Sequence, residues 1–329
     1  MQPLQSTPDD AAQEAPPERR APERFEPGGT HLGISSTSVL GALLRAMRPH
    51  HWVKNLLIFT PVVFNHSFFN ARLWTLSGLA FGLFCLATSA VYLLNDLLDV
   101  ESDRRHPVKR HRPFAAGKFR IEQGLVAAAL LLTVAFGGAL ALLPGAFTLA
   151  LLVYIGLNAL YSTWLKRKVM IDILVLAGFY CLRILAGGAA TGIVPSEWLL
   201  ALSMFLFLSL AFLKRHGELF RLREAGYVSI DNRGYRVQDL EMLETMGANS
   251  GYLAVLVLAL YINSNQVVGL YSHPRVLWLI CPLLLYWVSR AWIWARRGAL
   301  AEDPLMFALK DRVSWLVLVL VAVLAVFSL

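Results

Sequence analysis

The sequence predicts an all-α, polytopic membrane protein with nine transmembrane helices. Three observations carry that expectation. Of 329 residues, 57% are hydrophobic and 16% charged, with a mean hydropathy of +0.55, whereas a soluble domain carries about a quarter charged residues. The apolar residues come in runs near the ~20 residues needed to cross a bilayer. The polar residues collect between those runs. A backbone in lipid must pair its own polar groups, so the spans are helices.

Residues 1–38 are rich in Pro, Glu, Arg, Gln and Ser and poor in large apolar residues. They read as a disordered cytoplasmic tail, with the transmembrane domain over 39–329. No apolar core follows a basic start, so no signal peptide is expected. Residues 39–55 form a short amphipathic piece ending in Arg48-Pro49-His50-His51-Trp52-Val53-Lys54-Asn55. Trp52 and the cations suit an interfacial position, and Lys54 is also a candidate for phosphate contact.

The expected spans are 55–70, 73–95, 121–143, 146–164, 169–190, 196–213, 247–264, 274–294 and 312–329. The first is interrupted by Pro61, Asn65 and His66. Between them, 24 Lys and Arg residues fall on one side, and the opposite loops hold Arg72 and Arg275. The basic side is expected to be cytoplasmic. This puts the tail inside and the last residue outside, in a cell (plasma or inner) membrane. The formal charge of +8 then follows from topology and implies no nucleic-acid partner. The two longest loops, 96–120 and 214–246, lie on that cytoplasmic side, so function is expected there. Cys85, Cys181 and Cys281 sit inside apolar runs without metal-ligand spacing and are expected to pack as small hydrophobes.

The most informative stretch is Asn95-Asp96-Leu97-Leu98-Asp99-Val100-Glu101-Ser102-Asp103. On a helix Asp96, Asp99 and Asp103 fall within about 60° of one another. Carboxylates that close repel unless a cation sits between them. Mg²⁺ suits such a site, because it takes a few carboxylates and completes its shell with water and phosphate. The spacing reads as a Mg²⁺-diphosphate site, against the plainer alternative of a solvated acidic helix end. Lys109, Arg110 and Arg112 follow and suit a diphosphate, although topology alone would also cluster them.

A second group runs Tyr161-Ser162-Thr163-Trp164-Leu165-Lys166, then Asp172 and Arg183. Ionisable groups within a span are costly and face a cavity or a partner. Asp172 and Arg183 are about 16 Å apart on one helix face, so each is expected to point into a shared polar cavity. A third group is Lys214-Arg215-His216-Gly217-Glu218. Lys214 and Glu218 could pair as i, i+4 neighbours, and Lys214 and Arg215 could bind an anionic head group. The stretch Glu302-Asp303-Pro304 to Lys310-Asp311-Arg312, just before the last span, reads as mainly structural.

These residues resemble the UbiA superfamily of intramembrane prenyltransferases over about residues 41–329. The anchors are Arg48-Pro49-x-x-Trp52-x-Lys54-Asn55, the Asn95-to-Asp103 motif with Arg110-x-Arg112-Pro113, and Tyr161-Ser162 to Lys166. The resemblance implies nine helices around a central cavity, open to lipid and capped on the cytoplasmic face. It also implies Mg²⁺ on Asp96, Asp99 and Asp103, with these as the catalytic residues. The aromatic prenyltransferases of the family carry a second aspartate-rich motif between spans six and seven. Here Lys214-Arg215-His216-Gly217-Glu218-Leu219 stands there instead. That pattern, Arg183-Ile-Leu-Ala-Gly-Gly and Ala308-Leu-Lys-Asp-Arg312 look closer to the decaprenyl-phosphate phosphoribosyltransferase branch.

The resemblance therefore implies 5-phosphoribosyl transfer from phosphoribosyl diphosphate to a polyprenyl phosphate. Asn95, Lys54, Lys109, Arg110, Arg112, Tyr161, Lys166, Asp172, Arg183, Lys214, Arg215 and Glu218 are the substrate-binding candidates. A prenyltransferase, using a polyprenyl diphosphate and an aromatic or other small acceptor, is the first alternative. A lipid or ion transporter with Asp172 and Arg183 along its path is the second.

Overall fold

The computed structural model describes residues 39–105, 109–117, 120–226, 233–300 and 303–329, without the side chains of Val39, Leu40, Lys109, Asn265, Gln266 and Val268. The expected tail over 1–38 lies outside the described residues, as do His106–Val108 and Lys118. Every regular element among the described residues is a helix. Besides four shorter 3-10 segments (Lys109–His111, Leu165–Arg167, Val237–Asp239 and Pro274–Leu279), they are in order α1 (Val39–Met47), a 3-10 helix (Pro49–Phe59), α2 (Thr60–Phe64), α3 (Ala71–Leu98) and α4 (Val100–Arg105). Then come α5 (Ile121–Leu142), α6 (Gly145–Thr163), α7 (Ile171–Thr191), α8 (Glu197–Glu224) and α9 (Leu240–Ile262). The last are α10 (Asn265–Leu270), α11 (Ile280–Arg296), α12 (Pro304–Lys310) and α13 (Arg312–Ser328).

Among the described residues, seven helical stretches are long and apolar enough to cross a membrane. The pair α12 and α13, bent by 81°, makes an eighth if it counts as one span. The protein is thus an all-α, multi-pass membrane protein. The expected first span over 55–70 is not one helix. It is the 3-10 helix and α2, with Asn65 closing α2. Pro61 lacks an N–H and suits only the first turn of a helix, where it sits here. Helix starts carry the side chains that such ends need. Asn70 accepts from the Leu73 N–H at 3.2 Å, Ser196 from Leu199 at 3.2 Å, and Asp311 from Ser314 at 2.8 Å.

Helix α7 sits between the two largest clusters of buried side chains. Ile173, Ala177 and Ile184 pack with α8, α9 and α11. Phe179, Ala186 and Ala190 pack with α3, α5 and α6. Its two ionisable residues, Asp172 and Arg183, are therefore buried among protein helices and not presented to lipid. The 3-10 helix lies so close to α7 that a Cβ at Gly187 would collide with the Ile58 carbonyl. Large apolar side chains such as Leu130, Leu149, Leu152, Leu318 and Phe327 remain exposed, as lipid-facing positions require.

Candidate functional site

Antiparallel helices bring the end of α3, the end of α6, the start of α7 and the end of α8 to one end of the bundle. Three charged centres are built there.

The first is the acidic motif. Helix α3 stops at Leu98, and α4 begins at Val100. The ladder nevertheless continues across the break, with Asp99 N–H donating to Asn95 at 3.0 Å and Asp103 N–H to Asp99 at 2.8 Å. Asp96 and Asp103 differ by only ~20° around a helix, and both turn inward, 3% and 2% exposed. Asp99 points further out. Arg112 donates one nitrogen to both inner carboxylates, at 3.2 Å to Asp96 and 2.7 Å to Asp103. Arg48 pairs with Asp96 at 2.6 Å and lies over the Tyr92 ring. Its backbone is left-handed, φ 54°, a conformation that costs a non-glycine residue ~1–3 kcal/mol. Lys166 is 3.9 Å from Asp99. Ser162 donates to Asn95 at 2.8 Å, tying α6 to the motif. Arg110 is exposed, and the Lys109 side chain lies outside the described set.

Two carboxylate oxygens aimed at one guanidinium nitrogen are also a donor set for a hard cation. Among the described residues, no group of three His, Cys, Asp or Glu lies close enough to hold a metal by itself. The centre fits an ion that takes two carboxylates and draws its other ligands from water and a substrate phosphate, as Mg²⁺ does.

The second centre surrounds Asp172, which is fully buried. It accepts from Tyr161 at 2.7 Å, from Arg215 at 2.7 Å and from Arg233 at 3.3 Å. Arg215 is also fully buried and pairs with Glu218. Glu218 is therefore engaged by Arg215, and the expected Lys214–Glu218 pair is not what forms. Arg215 is turned inward, so the adjacent cations Lys214 and Arg215 serve different partners. Just beyond Arg233, the Tyr235 hydroxyl accepts from the Met170 N–H at 2.8 Å.

The third centre joins distant segments. Lys54, on the 3-10 helix, is 2.8 Å from Asp303. Lys214, on α8, is 3.7 Å from the same Asp303 oxygen. Burial opposes the Asp303 charge, but Lys54 and Lys214 outweigh it and bring the carboxyl pKa down to about 2. These groups line a small cavity of ≈ 40 Å³ with Tyr180, Leu176, Leu210 and Leu305.

Arg183 stands apart. It donates to Asn55 at 2.8 Å, to the Phe179 carbonyl at 2.6 Å and to Tyr154 at 3.3 Å. The rings of Tyr154, Phe84 and Tyr180 surround it. Asp172 and Arg183 therefore belong to separate networks and do not share one cavity.

Sequence reasoning omitted three participants from the candidate site. Arg48 was visible as part of a motif. Arg233 and Asp303 carried no local signal, because their partners lie 61 and 249 residues away.

The fold is that of a helical bundle embedded in the membrane, with its charged centres gathered at one end. The chain belongs to the UbiA prenyltransferase family, whose profile matches residues 36–310. It is 38% identical over 271 residues to the nodulation protein NoeC of Azorhizobium caulinodans, covering 81% of this chain and 86% of that one. It is 30% identical over 281 residues to the decaprenyl-phosphate phosphoribosyltransferase of Mycobacterium tuberculosis, covering 84% and 90%. A UbiA homolog from Archaeoglobus fulgidus, solved bound to GPP and Mg²⁺, shares the fold. Its TM-score is 0.63 at 17% identity, over 86% of this chain and 99% of that one.

Proposed function

We propose that the protein is a Mg²⁺-dependent transferase that moves 5-phosphoribose from phosphoribosyl diphosphate to a polyprenyl phosphate. The reaction takes place at the cytoplasmic face of the plasma or inner membrane. One observation carries the reading: one acidic centre and one lysine centre are held by a single short segment. Arg48 at the start of the 3-10 helix reaches Asp96, and Lys54 six residues on reaches Asp303. At a 3-10 rise of about 2 Å per residue, the two positions are ~12 Å apart along the segment. That suits a donor diphosphate at one point and an acceptor monophosphate at the other, with a sugar between them. A donor bound as an allylic diphosphate on two metal ions would want a second acidic cluster. Asp172, the carboxylate nearest to that role, is already held by Arg215, Arg233 and Tyr161.

In this reading Asp96 and Asp103 would hold Mg²⁺ with the donor diphosphate, Asp99 adds its carboxylate at the outer edge of the motif, and Asn95 orients the motif through Ser162. The ion would neutralise charge on the leaving diphosphate. Arg112 moves from the carboxylates to the diphosphate, where Arg48, Lys109, Arg110 and Lys166 add positive charge. Lys54 and Lys214 bind the lipid phosphate. That phosphate is already an anion, so no strong general base is needed, and its oxygen attacks C1 of the ribose as the diphosphate leaves. Tyr161, Asp172, Arg183, Arg215 and Glu218 hold the helices that carry these groups.

A prenyl diphosphate donor with an aromatic or small acceptor is the second reading, favoured by the GPP in the A. fulgidus homolog. Purified protein with Mg²⁺ is incubated with labelled phosphoribosyl diphosphate plus polyprenyl phosphate, and separately with labelled prenyl diphosphate plus aromatic acids. The expected product is a labelled lipid phosphoribose that disappears in Asp96→Ala. Product in the second mixture alone overturns the proposal.

A further inference from the structure

We infer that Asp303 is a removable counter-ion, holding on Lys54 and Lys214 the seat that the phosphate of the lipid acceptor takes. The inference rests on the acceptor reading above. One Asp303 oxygen lies 2.8 Å from Lys54 and 3.7 Å from Lys214, so two ammonium groups share a single carboxylate. The three charges leave a net excess of one positive charge. The other carboxylate oxygen accepts from the Leu305 N–H at 3.1 Å and caps α12. The side chains of Lys54, Asp303 and Lys214 are 11%, 15% and 36% exposed. The lysines are therefore sheltered but reachable through the cavity that they line. Its walls at Leu176, Leu210 and Leu305 are apolar, which suits the first carbons of a lipid beside its phosphate.

A phosphate monoester brings more charge and more acceptor oxygens than one carboxylate, so it can outcompete Asp303 for both ammonium groups. Asp303 is ionised throughout the physiological range, given its low pKa. Displacement by another anion, and not protonation, is what would free the lysines. Asp303 begins the seven-residue helix α12, set at 81° to α13. Its release therefore involves a short segment at the edge of the bundle.

The test is equilibrium binding of a short prenyl monophosphate, and separately of inorganic phosphate, to the full-length protein in detergent without donor. In Asp303→Asn the counter-ion is lost, while an Asn side chain still caps a helix well. Prenyl monophosphate should bind about five- to tenfold more tightly in this variant, and Asp303→Glu should bind close to wild type. Lys214→Met should weaken binding at least tenfold, and the double variant Lys214→Met/Asp303→Asn should regain part of that loss. If Asp303→Asn does not fold, Asp303→Ser carries the test, because Ser also caps a helix and removes the charge; it should bind prenyl monophosphate more tightly than wild type, and unchanged or weaker binding overturns the counter-ion. Binding by the wild type that is unchanged or weakened in a folded Asp303→Asn overturns the counter-ion and leaves the acceptor reading standing. Binding of no monophosphate by wild type or any variant overturns both.

Discussion

A single guanidinium nitrogen of Arg112 separates the carboxylates of Asp96 and Asp103. Removing it leaves two buried like charges facing each other. Arg112→Ala should therefore lower thermal stability in chelator, and added Mg²⁺ should restore much of it, with a larger shift in Tm than in wild type. An equal Mg²⁺ shift in both proteins would show that the ion does not sit between those carboxylates. Asp303 gives a pH dependence of definite sign. Its folded pKa is about 2, against 3.8 for the free group. Its contribution is therefore fully present above about pH 4 and lost as pH falls through 2. Acid unfolding of Asp303→Asn should lack that component, measured as Tm against pH. The acidic motif was legible because its members lie within eight residues on one helix face. The inward turn of Asp96 and Asp103, against the outward Asp99, follows from their ~20° and ~60° offsets around a helix. Arg215 was misjudged for a physical reason. A lone Lys-Arg pair at a helix end reads as surface charge, and only the fold shows that Asp172, 43 residues earlier, draws one member inside.

At the scale of the element, the 3-10 segment Pro49–Phe59 is the piece that joins the acidic and the lysine centre. Arg48 begins it, Lys54 lies in its middle, and Asn55 fixes it to Arg183 at 2.8 Å. Its close approach to Gly187 leaves no room for a side chain. Gly187→Ala should cost about 1–3 kcal/mol through overpacking, and it should also raise KM for both substrates by shifting Arg48 and Lys54 together. A stability loss with both KM values unchanged would mean that the segment does not set the site. Arg215→Met should be harsher, because it takes from buried Asp172 its closest cation and leaves it Arg233 at 3.3 Å and Tyr161. About 3–5 kcal/mol is the usual scale of such a loss, to be measured by denaturant unfolding in detergent. Most helix spans were legible from their apolar runs. The 3-10 segment was not, because Pro61, Asn65 and His66 signalled an interruption without revealing what replaced the helix.

For the whole molecule, the distribution of basic residues implies an orientation that can be read directly. Single cysteines replacing Lys168 and Ser272, both exposed, should react with an impermeant thiol reagent from opposite sides. Lys168→Cys should be shielded in intact cells, and Ser272→Cys labelled. The reverse pattern would invert the topology. In the proposed reaction the two charged centres divide the labour, the acidic one serving the donor and the lysine one the acceptor. Steady-state kinetics of Asp99→Ala and Lys214→Ala, each with phosphoribosyl diphosphate and polyprenyl phosphate varied in turn, tests it most directly. Asp99→Ala should raise KM chiefly for the phosphoribosyl donor and Lys214→Ala chiefly for the lipid phosphate, each by tenfold or more. Both variants shifting the same KM, or turnover with a prenyl diphosphate in place of either substrate, would contradict it.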